Sequence, residues 1–399
     1  MSKLPASDAT NRQDAVSRRG LLVLGTASAT GLALGGCAQQ THPHLSSQVT
    51  DSSVERVAAY GTSQAGIDRP AVPQADLDLS VYDLDDGVSP SAAVARLGEA
   101  VADVVAGNSA RLAGTEPGDL TVTIGVGPRL VAAVDPTLPG AADLPAFARE
   151  QIAPSDRGGD VMIQVCGGDP LAVTLASSAL ADAVQAAGGT PRWSQGGFRR
   201  RGNDGYALNL LGFRDGIVQP KDMAAELWLT GPQRVAGATI AVVRRLRLSL
   251  PDFLGMSVPQ QESRIGRRRD TGAPLSGGSV TTSLDLGAKT PVGSYLIPAD
   301  AHARRANADV TGVGVMLRRG YNYDNGPQDQ GLLFISFHRE LRTFTETQYR
   351  LDESDALMEH TLATASATFL VLPGFSVRSP LGSRLFRRVD PELSESPVL

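Results

Sequence analysis

Ala238–Leu250 reads ATIAVVRRLRLSL. An apolar, β-branched run passes into alternating arginine and leucine, which is the period of a strand. What this strand begins decides the fold. Upstream of it, DLDLSVYDL from Asp76 alternates as a strand, and Val94, Leu97, Val101, Val104 and Val105 then recur at helical spacing. LTVTIGVG from Leu120 and DVMIQVCG from Asp160 read as strands, a helix covers about Pro170 to Ala187, and TPRWSQGGF from Thr190 closes the set. The order is strand, helix, strand, strand, helix, strand. From Ala238 that order starts again: a weaker helix near Pro251 to Arg264, a glycine-rich excursion from Gly266 to about Ala301, then the strands GVGVMLRRGYNY from Gly312 and GLLFISFHR from Gly331. A helix from about Thr343 to Thr361 and the strand ATFLVLPGF complete it. The expected fold class is α+β: two ferredoxin-like βαββαβ domains, each an antiparallel sheet with helices, duplicated as a sandwich. No short repeat of residues accompanies the repeat of elements.

The chain has 399 residues, a formal charge of −5, 42% apolar residues and 20% charged ones. That is a globular composition with ample core. It argues against nucleic acid as a partner, since phosphate binding needs a basic stripe. The densest basic spots are Arg244–Leu248, read as the solvated face of a strand, and Arg267–Arg269. Only Cys166 remains after Cys37, so neither an intramolecular disulfide nor a cysteine-built zinc site can form, and Cys166 is expected in the core.

The N-terminus reads as an export signal. Arg18 and Arg19, followed by Leu21 and Leu22, head an uncharged run to Gly36 that is too short and glycine-rich for a membrane span. It resembles a twin-arginine signal, whose route carries folded proteins and suits one that gains its cofactor inside the cell. Leu34-Gly35-Gly36-Cys37 resembles a lipobox, with Cys37 as the lipid-bearing first residue of the mature chain. The expected division is residues 1–37 signal, 38–58 polar tether, 59–222 N-terminal domain and 223–399 C-terminal domain. The expected location is outside the cytoplasm, lipid-anchored or secreted, with the membrane touched only through the signal or anchor.

The chemistry is narrowed by what is missing. There is no HExxH, no Walker loop and no GxSxG elbow, and the glycines of TIGVGPRL lead into no convincing helix. The histidines are His42, His44, His302, His338 and His360. The first two lie in the tether, and His338 and His360 read as structural or surface residues. His302 lies in PADAHARRAN within the long excursion, where a loop is more often functional. One histidine cannot build a metal cage, but it can be the single proximal ligand of a haem, whose equatorial bonds come from the porphyrin.

GFRDG at Gly212–Gly216 resembles the GxxDG motif of the dye-decolourising (DyP-type) haem peroxidases, and AHARRAN resembles that family's proximal-histidine segment. MLRRGYNY from Met316, YGTSQAGI from Tyr60, IGRRRDTGAPL from Ile265 and LPGF from Leu372 extend the likeness from about residue 59 almost to the C-terminus. The resemblance implies one haem b (iron protoporphyrin IX), held mainly by the second domain, with His302 as iron ligand. It also implies Asp215 as the proton-transfer group and Arg318 as the distal arginine. Strand alternation sends Arg319 to the opposite face, as a structural or surface residue.

Arg267 is the candidate partner of a haem propionate, with Arg268 and Arg269 turned to solvent. Glu359 is the candidate carboxylate for the other ring nitrogen of His302. Trp193, Trp228, Tyr321 and Tyr323 are candidate relays to surface donors. The chain departs from the family at Ile217-Val218-Gln219-Pro220, where a threonine and Asn-Pro are common. It departs again at Ala303 and Arg305, where bulky aliphatics are common and looser packing is expected.

The implied activity is oxidation of organic donors, such as anthraquinone dyes and phenolics, by hydrogen peroxide. Two alternatives stand beside it: a haem-handling deferrochelatase of an iron-uptake system with its partners, and a lipid-anchored solute-binding protein.

Overall fold

In the computed structural model, which describes residues 55–387, the sheet begins where the sequence alternates. The signal, Cys37 and most of the tether lie outside the described residues. β1 (Asp76–Leu84) buries alternate side chains over most of its length and lies antiparallel between β3 (Val161–Gly167) and β4 (Gly189–Phe198). β2 (Thr121–Val126) extends the sheet beyond β3. Both β2 and β3 are buried throughout, because α1 (Pro90–Ala106) and α3 (Pro170–Ala186) cover one face and a second sheet covers the other.

Capping explains where these helices start and stop. The Ser89 hydroxyl accepts the Ala92 N–H, Pro90 opens α1, and Gly107 ends it at φ 79°. Asp169 and Pro170 open α3 in the same way. Against expectation, a short helix, α2 (Pro128–Val134), follows Gly127. A Cβ on Gly127 would stand 1.9 Å from the Gly159 carbonyl oxygen, so this glycine serves close packing.

β5 (Ala207–Leu208) and β6 (Arg214–Asp215) form a two-stranded clip, and α4 (Met223–Leu227) leads to β7 (Thr239–Leu248). The second helical segment is broken by Gly255. α5 (Leu250–Leu254) stops there, and Ser257 with Gln260 forms a capping box that starts α6 (Val258–Ile265). The excursion carries α7 (His302–Arg305) and α8 (Ala308–Thr311). The next expected strand is pared to β8 (Leu317–Arg318) and β9 (Tyr321–Asp324), which precede β10 (Gln330–His338). α9 (Leu341–Ser354) gives way to a 3-10 turn at Ala356–His360, and β11 (Thr361–Val371) follows.

The strand order is β4-β1-β3-β2 in the first sheet and β11-β7-β10-β9 in the second. The first-in-sequence strand of each half is therefore central and its second lies at the edge, so the duplication of element order is also one of topology. Two thin seams join the sheets: Leu370 and Val371 opposite Val126 and Gly125, and Phe198 opposite Asn322. The strands close into a ring around Leu79, Val81, Met162, Phe337 and Phe369. Each such buried side chain contributes roughly 1.5–3 kcal/mol.

β7 overturns the solvated reading of its arginines. Arg244 is 2% exposed. Its guanidinium is bonded to Glu150 at 2.7 Å and sits over the rings of Phe147 and Phe344. Arg245 pairs with Asp156 at 3.1 Å.

Candidate active site

The loop that carries Asp215 is folded by its own residues. The Asn209 side-chain oxygen accepts the N–H groups of Leu211 and Phe213, closing NLLGF into a turn. Leu211 and Phe213 then anchor it in a cluster with Phe253 and Ile265. Gly212 has φ 82° and lies against the Arg269 guanidinium, whose nitrogens are 2.8 Å from the position a Cβ would take. Arg269 is thus a packing partner of the loop and not a solvent-facing residue. Arg268, paired with Glu262, is the exposed one. Arg214 is turned inward, bonded to Asp204 and to the Arg269 carbonyl. Asp215 comes next, opposite Ala207.

Arg318 reaches the same place from β8. Pairing with β10 puts Leu317 opposite Phe337 and Arg318 opposite Ser336, and alternation sends Leu317 into the core and Arg318 to the other face. Arg319 is the structural partner, buried and donating to the carbonyls of Ile67 and Pro70, both at 2.8 Å.

Gln219 ties the two elements together. Its Oε1 accepts the Arg318 N–H at 3.1 Å and its Nε2 donates to the Arg318 carbonyl at 3.0 Å. The Gln219-Pro220 departure therefore has a local function that no pattern in the sequence reveals.

His302 opens α7 below. Its Nδ1 is 2.6 Å from Oδ2 of Asp355, whose side chain is 0% exposed. A carboxylate accepts, so Nδ1–H donates and Nε2 is left as the basic nitrogen. The Glu359 assignment is thereby corrected. Glu359 bonds Arg264 at 2.6 Å on the surface, because the helix expected to run through it ends at Ser354. Asp355 caps the turn that follows, with Oδ1 on the Leu357 N–H.

Burial depresses the His302 imidazolium, but the Asp355 charge and hydrogen bond outweigh it, and the net pKa is raised. Arg318 opposes and Asp215 supports that rise, so the three groups feel one another's charge. Yet 36% of the His302 side chain stays accessible. A ligand could therefore reach its Nε2.

α7 is pinned from several sides. Arg304 donates to the carbonyls of Leu286, Ile297 and Pro298, and Arg305 to the Arg350 carbonyl and Glu353. Gly266, at φ 89°, brings the 265–267 segment against Ala301 and Ala303, whose Cβ atoms are 3.2 and 3.3 Å from the position its own Cβ would take. Ala303 thus packs on the 265–267 segment, and Arg305 is held by Arg350 and Glu353.

Arg267 is buried, and its Nη1 donates to the carbonyls of Gly272 and Val280. Burial lowers its pKa and the nearby Arg318 lowers it further. Burial likewise lowers that of Arg318, and Asp215 offsets only part of it. Two neighbouring cations with one carboxylate leave an excess of positive charge, which suits a cofactor carrying carboxylates. No three His, Cys, Asp or Glu side chains converge as a metal cage among the described residues. The donor set of one oriented imidazole with cations beyond it thus fits a haem: His302 would hold the iron, and Arg267 lies among the groups suited to its acid side chains.

Tyr321, Tyr323 and Trp193 are buried in the core, and Trp228 is half-buried. Cys166 is buried and its thiol is pushed up to about 11. His338 and His360 are buried structural residues.

Comparison with known proteins agrees with this geometry. Residues 81–199 match the family profile described as Dyp-type peroxidase, N-terminal, and residues 206–376 match its C-terminal counterpart. The chain is 34% identical over 411 residues to the dye-decolorizing peroxidase of Thermobifida fusca, covering 89% of this chain and 94% of that protein. It is 28% identical over 428 residues to a deferrochelatase of Shigella boydii, covering 93% and 97%. Among solved structures, DtpA of Streptomyces lividans, determined as an oxyferrous complex, superposes with a TM-score of 0.78 at 32% identity, covering 84% of this chain and 99% of that one. The chain belongs to the Dyp-type peroxidase family of haem-dependent enzymes.

Proposed function

We propose that this peroxidase uses Asp215 and Arg318 to assist cleavage of hydrogen peroxide and oxidises organic donors of the anthraquinone and phenol classes outside the cytoplasm. What supports the reading is an Asp355-held His302 on which the charges of Arg318 and Asp215 act, with Asp215 Oδ2 lying against the Gly320 end of the Arg318 segment. When bound, haem supplies the iron that takes up peroxide and hands its oxidising equivalents to donors.

The rest is the work of the side chains. Asp355 fixes the His302 tautomer and aims Nε2 as a ligand. Asp215 takes a proton from one peroxide oxygen at a carboxylate oxygen and returns it to the other, which makes the departing group water. The Arg318 guanidinium stabilises the negative charge that develops on the peroxide oxygens. Gln219 holds the Arg318 backbone against the Asp215 loop.

The division into residues 59–222 and 223–399, export by the twin-arginine route and a lipid on Cys37 belong to the same reading. Rapid-mixing kinetics of the haem-loaded enzyme with peroxide test it. Asp215→Asn and Arg318→Leu are expected to keep haem and to slow the peroxide reaction by roughly 10²–10³. Wild-type rates in both variants would remove the mechanism.

A second reading, as a haem-handling component of iron uptake, draws on the likeness to the Shigella boydii deferrochelatase. Release of free iron with intact porphyrin recovered, in place of donor oxidation, would favour it.

A further inference from the structure

A hollow of about 780 Å³ is lined in part by Arg199. That volume is in the range of small-molecule sites. Arg56, Arg69, Arg199, Arg200 and Arg201 line it, with Glu55 and Asp119 as the only carboxylates among the described residues. Internal pairing leaves much of this charge uncompensated. Arg56 pairs with Glu116 at 2.6 Å, and Arg200 approaches Asp76 at 3.6 Å. Asp119 is turned to the Gly168 N–H at 2.7 Å. Among the described residues, however, Arg69 and Arg199 donate to the carbonyls of Ser63 and Gly320, both at 2.8 Å, and a carbonyl neutralises no charge. Arg201 is exposed and contributes a further cation.

Part of the lining is apolar. Pro70, Val72 and Pro73 form it, and Val72 remains 47% exposed. A wall of this kind beside unpaired guanidinium groups suits a molecule with an apolar body and an anionic end.

Its position links it to the active site. Arg199 Nη2 stands 3.1 Å from where a Cβ on Gly216 would lie, and Asp215 Oδ2 is 3.6 Å from the corresponding position on Gly320. Gly216 follows Asp215 and Gly320 follows Arg319 two residues after Arg318, so the Arg199 side chain packs on the backbone of both catalytic segments.

We propose that this hollow binds an organic electron donor bearing a carboxylate or sulfonate, with the anionic end on Arg69, Arg199 and Arg201 and the apolar body on Pro70, Val72 and Pro73. The proposal deepens the donor-oxidising reading, on which its use in turnover rests. Binding itself needs no turnover, so the two can fail separately.

The test is calorimetric titration of the haem-loaded full chain, without peroxide, using naphthalene-2-sulfonate, the neutral 2-naphthol and inorganic sulfate. The sulfonate is expected to bind one to one, at least about tenfold more tightly than either control, and to weaken as salt rises. Arg69→Glu with Arg201→Glu should weaken it by at least about tenfold, whereas Arg96→Glu with Arg342→Glu, an equal charge change at exposed positions of α1 and α9, should leave it unaltered. A sulfonate affinity that is insensitive to the double variant, or matched by 2-naphthol or by sulfate, overturns the site. Circular dichroism of the double variant guards against misfolding, and a milder Arg201→Gln, expected to weaken binding severalfold, repeats the test if it does not fold. Sulfonate binding at this hollow in a protein that oxidises no donor with peroxide would leave the site standing and sink the activity reading instead.

Discussion

Asp355→Asn separates two jobs held by one carboxylate. In the native protein Oδ2 takes the His302 Nδ1–H at 2.6 Å and Oδ1 takes the Leu357 N–H at 2.8 Å, with no solvent to substitute for either. An amide has one oxygen. If that oxygen stays on Leu357, the NH₂ group faces Nδ1, the ring must accept there, and its proton moves to Nε2, the nitrogen needed as ligand. If the oxygen turns to His302, the cap on the 3-10 turn is lost, at about 1 kcal/mol. Loss of a partner that orients a ligating histidine typically costs roughly 10–100-fold in metal affinity, or about 1.4–2.8 kcal/mol. The assay is haem titration of the apoprotein followed by Soret absorbance, with Glu359→Gln alongside. Asp355→Asn is expected to bind haem roughly 10–100-fold more weakly. Glu359→Gln should match wild type, since its 2.6 Å bond to Arg264 is a surface pair with the carboxylate 61% exposed, and such pairs contribute about 0–1 kcal/mol to stability. Undiminished affinity in Asp355→Asn, or haem loss confined to Glu359→Gln, would refute the assignment of the histidine's partner.

Three further outcomes follow from the geometry. Gln219→Ala removes two hydrogen bonds to the Arg318 backbone and should slow the peroxide reaction about tenfold with haem affinity intact; stopped-flow rates equal to wild type would deny Gln219 its positioning role. Gly266→Ala puts a side chain at φ 89° within 3.3 Å of Ala303, and should cost roughly 1–2 kcal/mol by denaturant titration and weaken haem binding; an unchanged midpoint would contradict the close packing. His338 is fully buried and its pKa is lowered to about 4 from 6.5 by burial, the backbone of Glu340 offsetting only part. The unfolded chain therefore takes up this proton first, so the stabilisation is complete above about pH 6.5 and is lost as the pH falls to about 4, a change of about 3 kcal/mol. His338→Met should flatten that part of the stability profile, and an unaltered acid slope would exclude His338 as its source.

The strands were legible because burial on one face imposes alternation, and DLDLSVYDL carries that pattern openly. The glycine-flanked Asp215 and the histidine of the long excursion stood out by residue type. What escaped depends on partners far along the chain. Gln219 meets Arg318 at a separation of 99 residues, and nothing near either residue announces it. Arg244 looked solvated because arginines usually are, yet Glu150 and Phe147 from the first half and Phe344 from α9 enclose it. Asp355 was the recoverable miss. An aspartate two residues before Leu357 is a capping signal, and reading it would have ended α9 there and moved the histidine's partner from Glu359 to Asp355.

The optical spectrum of purified protein supplied with haem, compared with that of His302→Ala, tests the central claim most directly. The wild type is predicted to show a Soret band of a histidine-ligated haem that changes on adding one equivalent of hydrogen peroxide. His302→Ala should lose the band and regain it when imidazole is added. Tightly bound, histidine-ligated haem in His302→Ala, or no Soret band in the wild type, would contradict the account.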